Sequence, residues 1–166
     1  FLRRHPEASL VDVDGRVLGG GARQSFCPSA PAYAQASARI AETLARRYAG
    51  HPALALWHVH NEYGCHNALC YCPESARAFR AWLRERYGDL AALNEAWGTT
   101  FWGQTYGDWD EIDAPRRAPT AVNPAQRLDF LRFSCAAHLA NFRRERDVLR
   151  RWSDTPITTN FMVTSC

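Results

Sequence analysis

The chain has 166 residues, 46% of them hydrophobic, and a formal net charge of +3 at pH 7. This length and composition predict one globular domain and exclude a disordered tail. With 20 basic and 17 acidic residues, the charge is too evenly balanced to indicate a nucleic-acid partner. No apolar run reaches the ~20 residues that span a bilayer, so we expect no membrane partner.

The first ten residues, FLRRHPEASL, have no initiator methionine, no apolar core and no cleavage site of the kind that signal peptides carry. We expect the chain to be an internal piece of a longer protein, truncated at both ends. A cytoplasmic location is expected for that protein, with its export left open.

Predicted helices and strands alternate along the chain. Residues 10–19, LVDVDGRVLG, predict an exposed extended segment that turns at Asp14 and Gly15. A Gly/Pro/Ser-rich loop follows, and residues 32–51 then predict a helix that ends near Gly50. The apolar positions of this helix are Ala36, Ile40, Leu44 and Tyr48.

The second half of the pattern begins with the apolar run ALALWHV at 53–59, which predicts a strand covered on both faces. Helices are predicted over 73–88, with Ala78, Trp82 and Leu83 facing inward, and over 89–98, with Asp89 as its N-cap. After a loop at 99–126, a long amphipathic helix is predicted over 125–152. Its apolar stripe comprises Leu128, Leu131, Phe142 and Leu149.

A second strand is predicted over 155–163. Strands separated by helices predict parallel pairing and an α/β fold. The functional loops of such folds lie at the carboxyl ends of the strands. We therefore expect Asn61, Glu62 and Asn160, which follow or end the two strands, to lie at the same edge.

The loop after the first strand is crowded with polar and sulfur side chains, in the run HNEYGCHNALCYC. Two interpretations are open from this pattern. Clustered cysteines at 65, 70 and 72 indicate a metal or a local structural role more than a network of disulfides. Alternatively, the carboxylate of Glu62 is catalytic and the cysteines are scaffolding.

The stretch ALALWHVHNEYGCHNALCYC, followed by AFRAWLRERYGDLAALNEAWGTTFWGQTYGDWDEI, resembles glycoside hydrolase family 42, the bacterial β-galactosidases. The upstream CPSAP and the downstream TTNFM fit the same family in the same order. The resemblance covers essentially the whole chain. It implies that the α/β pattern is a partial (β/α)8 TIM barrel, middle strands and helices only, with residues 1–166 forming part of one catalytic domain.

Retaining glycosidases use two carboxyl groups about 5–5.5 Å apart. The resemblance makes Glu62 the acid/base, which must hold a proton near neutral pH, and Asn61 a hydrogen-bond partner of the sugar 2-OH. The second carboxyl group of the family, the nucleophile, is a Glu after the seventh strand and is expected outside this chain. The other glutamates are expected to be solvated surface charges: Glu74, Glu85, Glu95, Glu111 and Glu145.

Three further side chains match substrate-binding positions by resemblance. Arg23, four residues before Cys27, matches a sugar-binding arginine whose guanidinium could hold a hydroxyl and the catalytic carboxylates. Trp102 matches an aromatic residue that lines the substrate pocket, and Asn160 is a weaker candidate for the same pocket. The implied substrate is a β-galactoside, and the implied assembly of the parent protein is a homo-oligomer, a trimer by resemblance.

Some family members bind zinc through four cysteines, and Cys27, Cys70 and Cys72 match three of them. Ser75 stands at the fourth position, and a neutral hydroxyl is a poor zinc ligand. Cys65 or His66 could substitute only after a rearrangement of the loop. We expect no required cofactor; a zinc ion, if bound, is structural. Cys135, in mid-helix, is expected to be a buried small hydrophobic residue.

Two other readings stay open at this point. The chain could be a zinc-binding interaction module that uses Cys27, Cys65, Cys70 and Cys72, although such modules usually repeat C-x-x-C pairs. It could also be an inactive truncated piece, because an open arc of a barrel leaves sheet edges and apolar faces unpaired. The isolated 166 residues are expected to hydrolyse no galactoside and to aggregate.

Overall fold

The computed structural model describes residues 1–21 and 23–161. The chain is rich in α-helix, and its strands are short. In order, its elements are β1 (Leu10–Val11), β2 (Val17–Leu18), α1 (Pro31–Tyr48), β3 (Trp57–His58), α2 (Pro73–Tyr87), α3 (Leu90–Trp97), α4 (Thr99–Trp102), α5 (Pro124–Arg150) and β4 (Ile157–Thr158). Short 3-10 helices cover Pro6–Ala8 and Trp109–Glu111.

The helix ends follow local chemistry. The Asp89 side chain accepts a hydrogen bond from the Ala92 amide at 2.9 Å and so caps α3, as predicted. Asn123 caps α5 by accepting from the amide of Ala125 at 3.0 Å. Gly98, with a φ of 57°, ends α3 in the left-handed region. The predicted loop at 99–126 contains the short helix α4, which the sequence pattern did not indicate.

Strands β3 and β4 pair in parallel, with Trp57 opposite Ile157 and His58 opposite Thr158. The predicted parallel pairing across the intervening helices is therefore confirmed. Strand β4 is shorter than predicted, and residues 162–163 of the predicted strand lie outside the described residues. Strands β1 and β2 form a separate antiparallel hairpin over the segment predicted to turn at Asp14 and Gly15.

The largest apolar cluster lies where α2, α3 and α5 meet. It comprises Phe79, Leu83, Leu93, Trp97, Ile112, Ala114, Phe130 and Phe133. Within it, the buried carboxylate of Asp129 accepts hydrogen bonds from Trp97 Nε1 at 3.0 Å and from the hydroxyl of Tyr87. Because α5 supplies both apolar and acidic side chains to this cluster, it is the central helix of the fold.

Large apolar side chains of the predicted stripe on α1 are exposed in this structure. Ile40 is 60% exposed and Leu44 is 44% exposed, whereas Ala41 and Ala45 are buried. These small alanines belong to the same cluster as Val148 and Leu149 of α5. Small residues let two helices approach closely, and α1 therefore packs against α5 through its alanine face rather than through the stripe of larger side chains.

Exposed apolar residues also mark α5 and the segment before β3. Leu128 and Leu131, predicted to face inward, are exposed, while Leu149 of the same predicted stripe is buried. Leu56, predicted to lie in a strand covered on both faces, is 50% exposed. Within the described residues, no helix combines the length and the apolar character needed to cross a membrane.

Candidate active site at the end of strand β3

Glu62 follows the carboxyl end of β3 on a backbone with unusual dihedral angles. Its φ is 54°, and that of His60, two residues earlier, is also 54°. Residues other than glycine adopt this left-handed region rarely, and each instance costs roughly 1–3 kcal/mol unless its surroundings hold it in place. Strained residues of this kind cluster at functional sites, so the contacts that hold Glu62 are informative.

The Glu62 carboxylate is paired with Arg23. Arg23 Nη2 donates to Glu62 Oε2 at 2.8 Å, across 39 positions of sequence. The carboxylate is largely buried, with 20% of its side chain exposed, whereas 62% of the Arg23 side chain is exposed. A charge-assisted bond of this length orients the carboxylate, and the exposed guanidinium keeps room for a further partner.

Gln24 holds the backbone of the same loop with both ends of its carboxamide. Its Nε2 donates to the carbonyl oxygens of Asn61 at 2.7 Å and Glu62 at 2.8 Å. Its Oε1 accepts from the His66 amide at 3.1 Å. Gln24 was absent from the sequence predictions because nothing in its local pattern marks it; only its position beside Arg23 could have drawn attention to it.

Asn160 reaches the same loop from the end of β4. Its Oδ1 accepts from the Glu62 amide at 3.3 Å and pairs with His58 Nε2 at 3.0 Å. Asn160 and Glu62 therefore do lie at one edge, as the parallel pairing predicted. His58 is a second residue of this site that the sequence pattern did not indicate.

The other two predicted substrate-binding residues, Asn61 and Trp102, make no such contact with the Glu62 side chain among the described residues. The Asn61 side chain is exposed at the surface of the loop, next to Glu62. Trp102 is half-buried at the end of α4, and its ring packs edge-on against Phe101 with centroids 5.4 Å apart. Among the contacts of the described residues, none joins Trp102 to Glu62.

Cys27, Cys70 and Cys72 converge beneath the loop. All three are buried, and their Sγ atoms lie within 4.8 Å of one another. Cys72 is also the N-cap of α2, and its sulfur accepts from the Ser75 amide at 3.4 Å. The structure thus brings together the three predicted cysteines, although Cys27 is far from the other two in sequence.

Electrostatics within the cluster favour a single thiolate. Hydrogen bonds to Cys70 and Cys72, together with burial, raise the pKa of the Cys27 thiol. Hydrogen bonds from Cys27 and Cys70, and from backbone amides at the start of α2, lower the pKa of Cys72. Of the cysteines in this cluster, Cys72 is therefore the one whose thiolate form is favoured, by these hydrogen bonds and by the helix N-terminus.

The donor set does not fit a closed four-coordinate zinc site. Three thiols are present, but the fourth position is the neutral hydroxyl side chain of Ser75, which is 2% exposed. Cys65, the proposed substitute, lies outside the three-sulfur group found among residues 1–21 and 23–161, and its Sγ contacts the His66 ring at 3.4 Å. Within the described residues, the cysteines therefore do not assemble the four-cysteine set that a zinc-binding module requires.

Two expectations about single residues are wrong. Cys135 is exposed rather than buried, because it projects from α5 on the side opposite the apolar cluster lined by its neighbours Phe130 and Phe133. Two of the glutamates expected to be solvated are not: Glu145 is half-buried, and burial raises the pKa of its carboxyl group, while the Glu74 side chain is only 16% exposed. Both errors arise because helical spacing alone does not show which face another element covers.

Two histidines behind the loop are held neutral. Burial lowers the pKa of His138, whose Nε2 donates to the Asn67 carbonyl at 3.1 Å. Burial also lowers the pKa of His60, and the nearby His138 and His58 lower it further. A neutral environment behind Glu62 leaves Arg23 as the cation that the structure pairs with this carboxylate.

Comparisons with known proteins identify the same family across the chain. The family model described as β-galactosidase, glycoside hydrolase family 42, matches residues 1–166. A β-galactosidase of Geobacillus kaustophilus is 47% identical over 163 residues, which are 98% of this chain and 24% of that protein. A β-galactosidase of Arthrobacter is 49% identical over 166 residues, covering 99% of this chain and 24% of the relative.

Solved structures agree with the sequence relatives. The β-galactosidase of the psychrophilic Marinomonas ef1 superposes with a TM-score of 0.94 at 39% identity, over 97% of this chain and 25% of that one. The enzyme of the haloarchaeon Halorubrum lacusprofundi gives a TM-score of 0.93 at 41% identity, over 97% and 24%. The chain spans about a quarter of the length of the relatives that it matches, and it belongs to glycoside hydrolase family 42.

Proposed function

We propose that these residues are the part of a retaining β-galactosidase that carries the acid/base half of its active site. One observation carries the proposal: Glu62 lies at the carboxyl end of β3, largely buried, with its carboxylate held by Arg23 at 2.8 Å. This is the edge at which α/β folds place catalytic side chains. Family membership, with relatives named as β-galactosidases, supports the same assignment.

The proposed architecture is an arc of a TIM barrel. Its support is the parallel pairing of β3 with β4 across the intervening helices. Large apolar side chains on the arc are exposed in these 166 residues, among them Ile40, Leu44 and Leu56. Contiguous apolar surface of this kind is normally covered, and in the full-length protein we expect the neighbouring strands and helices of the barrel to cover it.

The proposed reaction is hydrolysis of a terminal β-D-galactosyl residue with retention. Glu62 protonates the oxygen of the leaving group, and later takes a proton from the attacking water. The nucleophile that forms the galactosyl-enzyme is a second carboxylate, which we place in the part of the protein outside this chain. Arg23, next to Glu62, is suited to hold both a sugar hydroxyl and the two carboxylates.

The supporting residues have unequal evidence. Asn61, exposed beside Glu62, is proposed to bond the sugar 2-OH, a contact that strengthens in the transition state. Asn160 is proposed to orient the loop, since its side-chain oxygen accepts from the Glu62 amide. Trp102 is proposed to line the pocket by resemblance alone, and the trimeric assembly of the parent protein has the same basis. A cytoplasmic location is also proposed, with export of the full-length protein left open. No step of the reaction requires a cofactor, and none is routed through the cysteines.

The experiment is Glu62→Gln in the full-length protein, with Glu85→Gln on the exposed side of α2 as the matched control. A general acid contributes about 10²–10⁴-fold to rate, so turnover of lactose should fall by that factor. An aryl galactoside with an activated leaving group should still form the galactosyl-enzyme, because its departure needs no proton. Unchanged lactose turnover in Glu62→Gln, with Glu85→Gln also unchanged, would refute the acid/base assignment.

A further inference from the structure

We propose that Gln24 is a positioning residue for the proton donor, holding the backbone of Glu62 so that its carboxyl group meets the leaving-group oxygen. The inference rests on the proposed function and deepens it. Its basis is three hydrogen bonds from one carboxamide to the loop that carries Glu62. Two bonds go from Nε2 to the carbonyls of Asn61 and Glu62, at 2.7 and 2.8 Å, and one comes from the His66 amide at 3.1 Å.

The contacts of Gln24 need both halves of an amide. The two carbonyl oxygens require a donor with two hydrogens, and the His66 amide requires an acceptor. A glutamine side chain supplies both on one planar group. A carboxylate at the same place would turn an acceptor oxygen toward two carbonyl oxygens, and a thioether would supply no donor at all.

The backbone that Gln24 holds includes the residues with strained dihedral angles. Glu62 and His60 have φ values of 54°, and Gln24 itself has a φ of 55°. Left-handed residues other than glycine persist only where the surroundings hold them. Side chains bond the backbone of Glu62 at both of its polar groups: Gln24 at the carbonyl oxygen and Asn160 at the amide nitrogen.

Loss of the hydrogen bonds from Gln24 should slow the reaction by impairing proton transfer from Glu62. If Glu62 relaxes toward an ordinary backbone conformation, its carboxyl group moves away from the leaving-group oxygen. General acid catalysis depends on hydrogen-bond reach, so its loss grows as the leaving group becomes more basic. A residue that only stabilises the fold would reduce the active fraction equally for every substrate.

The test uses Gln24→Met and Gln24→Glu in the full-length protein, with Gln126→Met as the matched control. Gln126 is a buried glutamine whose Nε2, like that of the half-buried Gln24, donates to a backbone carbonyl, that of Asp113 at 3.0 Å, but it lies in the helical cluster away from the loop. For each variant, kcat and KM are measured on a series of aryl β-galactosides with leaving groups of increasing basicity, and on lactose.

For Gln24→Met we expect kcat on lactose to fall about 10-fold or more, and that on the most activated aryl galactoside to change less than about 2-fold. A plot of log kcat against leaving-group pKa should therefore be steeper than in the wild type. Gln126→Met should keep the wild-type slope. Gln24→Glu should regain lactose turnover relative to wild type as the pH falls, because a protonated carboxyl group can again donate to a carbonyl.

A wild-type slope in Gln24→Met, or a Gln24→Glu variant with no recovery at low pH, overturns the positioning role. If Gln24→Met does not fold, the pH profile of Gln24→Glu decides alone. Failure of the proposed function is recognised separately, because it appears as unchanged lactose turnover in Glu62→Gln, a variant that leaves Gln24 intact.

Discussion

Replacing Ser75 with cysteine should convert the three-thiol cluster into a zinc site. Ser75 is the third residue of α2, is 2% exposed, and its amide lies 3.4 Å from Cys72 Sγ. A cysteine there would present its sulfur to the group formed by Cys27, Cys70 and Cys72, whose Sγ atoms lie within 4.8 Å of one another. Four thiolates are the set that structural zinc prefers.

The size of the effect follows from the geometry and from mass action. Zn–S bonds of about 2.3 Å place the sulfurs of a tetrahedral site about 3.8 Å apart, so the existing sulfurs need to move by no more than about 1 Å. We expect the fourth thiolate to tighten zinc binding by at least about 100-fold, or about 2.7 kcal/mol. At free zinc 100 times the Kd of Ser75→Cys, that variant gains about 2.7 kcal/mol of stability and the wild type about 0.4 kcal/mol.

The assay is zinc affinity by chelator competition on the full-length reduced protein, with denaturation at fixed free zinc as a second measure. The charge-transfer absorbance of the cobalt-substituted protein reports how many thiolates bind the metal. The control is Ser134→Cys, which replaces a buried serine of α5 and adds a cysteine away from the cluster. The reasoning fails if the wild type binds zinc as tightly as Ser75→Cys, or if Ser134→Cys gains as much.

Two further predictions concern stability. Asp129 is 1% exposed, and its carboxylate accepts hydrogen bonds from Trp97, Tyr87 and Arg132. Because Asp129→Ala leaves these donors without their acceptor, it should lower the free energy of unfolding by about 3–5 kcal/mol in urea denaturation. A loss below about 1 kcal/mol would contradict this prediction. Burial lowers the pKa of His138 below its ordinary value of 6.5, so the unfolded chain binds the proton more tightly than the native one. The free energy of unfolding should therefore fall as the pH drops below about 6.5, and it should fall less steeply in His138→Gln. The measurement is denaturation of both proteins between pH 7 and 5. Equal dependence of the unfolding free energy on pH in the two proteins would contradict the prediction.

Sequence reasoning succeeded where the signal is local. The cap at Asp89 and the alternation of helices with strands predicted the start of α3 and the parallel pair, because these signals are read from short stretches of sequence. By resemblance, the motif after β3 identified Glu62, Cys70 and Cys72, and the upstream CPSAP identified Cys27. The same local logic failed for α1, where the strongest apolar stripe is exposed and the alanine face is buried.

The sequence by itself thus determined the helices other than α4, their alternation with the strands, the family and the position of Glu62 after β3. Only the tertiary structure decided which side chains hold Glu62: Arg23 reaches its carboxylate from 39 positions away, and Gln24 and Asn160 reach its backbone from 38 and 98 positions away. Such contacts depend on the path of the whole chain rather than on any local spacing. A periodic pattern shows that a helix has an apolar face, but only the packed neighbours determine which face is covered.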